Sequence, residues 1–377
     1  MPEHTEKLKE RIVSVDVLRG LAMFLILSTQ IGGGFIWSTL NDLIWGPKNW
    51  PHFITDQLSW STDHVSFINV AQSIFLVVVG VVIPFSIKKR QGKFNNSQIY
   101  VQIVKRSAIL FLFGLIAGGK LLNMPQYERT LANIPVYNNV LEYIAISYLV
   151  VSIIVMHTRV KTQYIITAIL LLLYWFVWFI PVAGGTDMFS KEMNVGLYVN
   201  NLVMGNHGSH YGAWTEVFNT VSHIMLALTG VLCGQVIFTT GDKMKKFRRL
   251  LIAGIAMIAA GELWGIIYPV MRCFMTSTFV LVSGGIGVVL LAVFYYLNDI
   301  RGYTRWSFFF YVFGVNSIAI YMMAHLFDFR LIGNIVVGGL SSLASPEGEA
   351  FIQACTAMIV MWLIMLYMYR KKTFLKI

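Results

Sequence analysis

Residues 11–37 read RIVSVDVLRGLAMFLILSTQIGGGFIW, and the rest of the chain is best understood outward from them. An acid and a base, Asp16 and Arg19, stand three residues apart where a helix begins. An unbroken apolar run comes next, then Gln30 and the triple glycine Gly32, Gly33 and Gly34. A simple membrane anchor needs none of these polar groups. In hydrocarbon each is costly unless it faces a partner or a wet cavity, so polar residues framing such a run point to function. The plain alternative is that Asp16 and Arg19 pair with each other at the membrane surface, as residues three apart on a helix do.

Composition supports the membrane setting. Of 377 residues, 56% are hydrophobic and only 12% are charged, which is too apolar for a water-soluble chain of this size. The opening MPEHTEKLKER is charged and leads to no small-residue cleavage site, so the first apolar run is expected to be retained as a helix. The net charge of +11 sits in short basic clusters beside apolar runs. That pattern belongs to membrane loops and argues against a nucleic-acid partner. Cys233, Cys273 and Cys355 are scattered through apolar segments without disulfide or metal spacing and read as small packing residues.

Ten segments have the roughly twenty residues a bilayer core demands: 15–37, 66–87, 101–119, 137–157, 163–182, 216–238, 249–269, 275–297, 307–327 and 350–369. The loops alternate in charge. Lys7, Lys9 and Arg11, then Lys88 to Arg106, then Arg159 and Lys161, then Lys243 to Arg249, then Arg301 and Arg305, and last Arg370 to Lys372 all fall on one side. By the positive-inside rule both termini are expected in the cytoplasm. The fold expected is therefore all-α, a single polytopic bundle over residues 1–377 with long outer loops at 38–65 and 183–215.

Polar residues inside the spans carry the candidate chemistry. Asn69 and Gln72 open the second span, Glu142 lies near the start of the fourth, Asn219 and His223 in the sixth, Glu262 in the seventh, and Asn316 and His325 in the ninth. His64, beside Asp63 in the first outer loop, is the best candidate base. A neutral imidazole activates a hydroxyl or amine, and an adjacent carboxylate raises its basicity. The alternative is a solvated loop histidine. His223 and His325 read more simply as packing residues with satisfied ring nitrogens. His207 and His210, three apart, lack a nameable third ligand, so no metal is expected.

Several stretches taken together resemble the heparan-α-glucosaminide N-acetyltransferase family and its bacterial transmembrane relatives. They are SVDVLRGLAMFLILSTQIGGG, FLVVVGVVIPFSIKKRQGK, NVLEYIAISYLVVS, NTVSHIMLALTGVLCGQVI, YPVMRCFMTSTFVLVSGG and FGVNSIAIY, in order and covering almost the whole chain. The resemblance implies an acetyl-CoA-dependent acyltransferase of the bacterial inner membrane. Acetyl would pass from cytoplasmic acetyl-CoA to a sugar amine or hydroxyl outside. It also implies a catalytic histidine in the first outer loop, an assisting amide before the glycines, and a CoA entrance at the Asp–Arg collar.

Carried over, the catalytic candidates are His64, Gln30 and Asn69, and the donor-binding candidates are Asp16, Arg19, Lys88 and Arg106. The chain departs from the family pattern at several of these places. Gln30 stands where Asn is usual, Asn69 where Asp is usual, Glu142 where Gln is usual and Arg272 where Lys is usual. Counted without a gap, the family's histidine position falls on Ser59; His64 lies five residues later and His52 seven earlier. Expected partners are membrane lipid and a glycan or amino-sugar acceptor, with a homodimer left open. Two other readings stand beside this one. In a secondary transporter or flippase Glu142 and Glu262 would carry protons; the third reading is an inactive relative of the family.

Overall fold

A computed structural model describes residues 12–29, 36–46, 50–58, 63–118, 136–137, 139–182, 188–204, 215–239 and 241–375. Among these residues every regular element is helical. In chain order they are α1 (Val13–Leu27), α2 (Ile36–Trp45), α3 (His52–Leu58), α4 (Val70–Gln91), α5 (Asn96–Gly118), α6 (Val140–His157), α7 (Val160–Val177) and α8 (Val195–Met204). Then come α9 (Glu216–Phe238), α10 (Lys243–Gly265), α11 (Ser277–Phe294, prolonged by a π turn at Tyr295–Ile300), α12 (Phe308–Val315), α13 (Ser317–Leu326), α14 (Phe329–Ser341) and α15 (Pro346–Arg370).

The chain is a polytopic all-α membrane protein. Among the described residues seven helices are long and apolar enough to cross a bilayer, eight if the bent pair α12 and α13 is one span. Three of the ten expected segments differ from a plain span. α1 has 15 helical residues, and positions 30–35 of its expected segment lie outside the described residues. The first two turns of α10 carry Lys243, Lys245, Lys246, Arg248 and Arg249, and Glu262 stands near its other end, so the uncharged run between them, 250–261, is shorter than a bilayer core demands. Segment 307–327 breaks at Asn316 with a 75° bend. The Asn316 amide bonds elsewhere, donating to the Thr373 carbonyl at 3.1 Å and accepting from Leu375 N–H at 3.3 Å.

The chain divides into two compact units, each described by itself. The first comprises Met1–Ser59, Thr240–Ile255 and Gly287–Lys376. Its centre is the crossing of α1 and α12, where a methyl group on Gly20 would collide with the Phe310 carbonyl and one on Gly314 with the Asp16 carbonyl. Without water to drive helices together, such small-residue contacts supply the packing that holds a membrane bundle. Phe24 locks the crossing with edge-on contacts to Phe309 and Phe310 at 5.6 and 5.8 Å. The first turn of α1 is capped from afar: Val13 and Ser14 donate their N–H groups to the Asp299 carboxylate at 3.0 and 3.1 Å. α15 begins with Ser345 accepting from Gly348 N–H at 3.2 Å, Pro346 at its first position, and Glu347 and Glu349 in its first turn.

The second unit comprises Trp60–Thr239 and Ala256–Ile286. α4 and α9 lie side by side in parallel, with Gly80 and Gly230 at the contact; a methyl group on either would strike the other helix's backbone. α6 runs in the same direction beside them. Tyr148 and Val151 share a core with Ile83, Ile87, Leu228 and Val231. α5 returns antiparallel to α6, pairing Gly114 with Glu142, Ser107 with the Ala145 carbonyl (2.6 Å) and Tyr100 with His157. α7 exposes Ile165, Ile169, Leu172, Leu173 and Phe176. An apolar outer surface on a helix with internally satisfied backbone is what lipid requires.

Candidate functional site

The second unit gathers polar side chains at one end of its three parallel helices. The sequence favours this locally: Asn139 caps α6 by accepting from Leu141 N–H at 3.0 Å, which sets Glu142 in the first turn. Glu216 stands likewise in the first turn of α9. Helix N-termini carry partial positive charge, so both positions suit an acid. Asn69, Gln72, Glu142, Tyr143, Glu216, Asn219 and His223 are all buried here.

His223 is the hub. Its Nδ1 lies 2.5 Å from the Asn219 carbonyl, one turn back on its own helix, and its Nε2 lies 2.6 Å from Gln72 Nε2 on α4. A carbonyl only accepts, so Nδ1 carries the proton, and Nε2 accepts from the Gln72 amide N–H. Tyr143 stacks on the imidazole with ring centroids 4.4 Å apart and planes 8° from parallel. Asn219 in turn donates to the Cys273 carbonyl at 3.1 Å and accepts from Thr215 at 3.0 Å. Glu216 accepts from Asn200 at 3.0 Å.

Beside this cluster, Arg272 is buried in the turn that precedes α11, and its charge acts on His223. Burial pushes its guanidinium down to about 9, so it remains a cation at neutral pH. Burial likewise pushes the neighbouring Cys273 thiol up to about 11, which leaves it protonated and unreactive.

His64 and Asn69 flank this end, in the irregular stretch that leads into α4. The Asn69 side-chain amide donates to the His64 carbonyl at 3.4 Å, and its backbone N–H reaches Ser66 Oγ at 3.2 Å. These bonds make Asn69 the clasp of the turn that holds His64. The His64 residue is half-buried. Asp63, expected to act on His64, places its carboxylate 2.5 Å from the Lys191 ammonium. That contact draws the carboxylate's hydrogen-bonding capacity toward the 188–194 segment.

The other end of α4 is basic. Lys88, Lys89 and Arg90 fill its last turn, where cations complement the helix dipole. Lys88 is exposed. The Arg106 guanidinium lies over the Tyr148 ring, 4.7 Å from its centroid. Arg106 Nε and Arg90 Nη1 are buried and have no hydrogen-bond partner among the described residues.

In the first unit, Asp16 and Arg19 pair with each other at 3.5 Å across one helical turn, the plain alternative that their spacing allows. Gln30, Gly32, Gly33, Gly34, Ser59, His207 and His210 lie outside the described residues, as does the His52 side chain. His325 bonds the Tyr321 carbonyl one turn back at 2.9 Å, as His223 bonds Asn219. Both histidines thus have the satisfied Nδ1 expected of packing residues. What sequence reasoning misses is the company of His223. Gln72 and Arg272 stand in the sequence as lone polar residues, and nothing local to either marks them as neighbours of His223.

No family model matches the chain, and no curated protein matches it.

Proposed function

We propose that this protein is a membrane acyltransferase that passes an acetyl group from acetyl-CoA to an amine or hydroxyl of a glycan across a bacterial inner membrane. The observation that supports this reading is the division of chemistry along α4. Its 22 residues extend about 33 Å, close to the thickness of a bilayer core. Guanidinium donors with no hydrogen-bond partner among the described residues stand toward one end, and an imidazole with its amide clasp stands at the other.

The basic end suits the donor. Phosphates need charge-assisted donors, and Arg90 Nη1 and Arg106 Nε are buried donors with no hydrogen-bond partner among the described residues. Lys88 adds an exposed point charge. Acetyl-CoA supplies an activated thioester carbonyl. At the polar end His64 takes the proton of the acceptor as its nitrogen or oxygen bonds to the acetyl carbon. The carbon–sulfur bond breaks, and that proton ends on the leaving sulfur. Asn69 holds the backbone of His64 and so positions it.

The test is CoA binding by the full chain in lipid nanodiscs, then labelled-acetyl transfer to an amino sugar. His64→Ala is expected to lower transfer by about 10²–10⁴-fold with CoA binding unchanged. Arg106→Ala is expected to weaken CoA binding. A wild-type chain that binds no CoA sinks the proposal.

The buried Glu142 favours a second reading, a secondary transporter or flippase. Glu262, the other carboxylate of that reading, is exposed on α10. Loss of solute uptake in Glu142→Gln vesicles, with no CoA bound, would establish the transporter instead.

A further inference from the structure

Glu142 is fully buried, and its two carboxyl oxygens are treated differently. Oε2 accepts the backbone N–H of Tyr137, whereas Oε1 is buried with no partner among the described residues. Packing selects the groups around it. From α5, Gly114 presses its backbone on the side chain, and a methyl group there would collide with Glu142 Cγ. From α9 comes Glu216, whose negative charge acts on Glu142, with His223 beyond Tyr143. From α4 comes the uncharged Gln72, held on His223. On its own helix stands Tyr143, and just before it Tyr137, whose rings lie 5.7 Å apart. Arg272 acts on His223. Among the described residues no basic side chain forms an ion pair with Glu142.

The first turn of α6 favours a negative charge through the helix dipole. Removing a carboxylate from water without a cation costs more than a helix terminus returns, and a like-charged neighbour adds to the cost. The neutral acid is the state this geometry supports. We propose that Glu142 is a membrane-embedded proton-binding site, holding its proton at Oε1 and acting as a switch at the seam of α5 and α6. Release of the proton leaves a bare charge against the Gly114 backbone and beside Glu216. The seam must then part to admit water. Only a glycine at 114 allows the two helices to close so tightly on the protonated form.

This inference does not depend on acyl transfer, and its test needs no CoA. Infrared spectra of the full chain in nanodiscs at neutral pH are expected to show the carbonyl stretch of a neutral carboxylic acid. That band disappears in Glu142→Gln and persists in Glu216→Gln. If the Glu142→Gln difference falls instead in the ionised-carboxylate region, the proposal is overturned. Titrating the wild type with 13C-carboxyl glutamate gives an independent measure that needs no variant. The acid band is expected to bleach as pH is raised, together with faster amide exchange at residues 107–114. Bleaching without faster exchange would overturn the switch and leave a static buried acid. Absence of the band throughout would overturn the site itself.

Discussion

His223 Nε2 and Gln72 Nε2 meet at 2.6 Å, joining α9 to α4 through the only arrangement of protons that satisfies both partners of the imidazole. Gln72→Leu removes the donor and leaves a buried acceptor, which costs about 1–3 kcal/mol. Thermal unfolding in detergent measures that loss. Nitrogen-15 spectra of the wild type are expected to report the Nδ1-protonated neutral tautomer; an Nε2-protonated ring would refute the assignment. A double-mutant cycle with His223→Phe, which keeps an aromatic ring on Tyr143, isolates the coupling between the pair.

The glycine contacts are equally exposed to test. Gly80→Val drives a branched side chain into the Ala227 backbone, which cannot rotate away as a side chain would. Overpacking typically costs about 1–3 kcal/mol, and with backbone as the obstacle the upper end applies. Gly92→Ala is the control, because the nearest atom to its added methyl is the Lys89 carbonyl at 3.8 Å. Yield of folded protein by size-exclusion chromatography should fall for the first and hold for the second.

Asp299 caps a helix nearly 300 residues away in sequence. Asp299→Ala strips the acceptor from the Val13 and Ser14 N–H groups, a loss comparable to removing an N-cap, about 0.5–2 kcal/mol. Amide exchange at those two residues should accelerate while the middle of α1 stays protected. Equal exchange in variant and wild type would show that the carboxylate caps nothing in solution.

Lys191 and Asp63 form an ion pair with both side chains about half exposed, 48% and 56%. Screening by water limits such a pair to at most about 1 kcal/mol. The hydrogen bond to Asp63 holds the Lys191 ammonium above the usual lysine range. A raised folded value means that the contribution is complete below the ordinary lysine range and is lost as pH rises through the folded one. Lys191→Ala should therefore destabilise slightly at neutral pH and low salt. It should have no effect at strongly alkaline pH or in high salt.

Much of this architecture is legible in the sequence because it is local. Runs of apolar residues near twenty long, broken by charged loops, foretell α4 to α7, α9, α11 and α15, and Ser345–Pro346 announces the start of α15. The break at Asn316 is not local. It depends on an amide bonding to tail residues almost sixty positions onward, and FGVNSIAIY looks continuous without them. The candidate site divides the same way. Glu142 stands out at once as an acid in an apolar run, but its orphaned oxygen results from Gly114 and the turn at Tyr137 closing around it. Likewise Gln72 and His223 are 151 residues apart, and only parallel packing of their helices makes them partners.

The tail held by Asn316 has a bearing on how the protein is handled. Because that amide grips Thr373 and Leu375 at once, residues 373–375 serve as a splint for the bent segment 308–326. An affinity handle appended beyond Ile377 leaves the splint whole. Trimming back to Lys372 takes it away, and the elbow then loses the two bonds that occupy its asparagine.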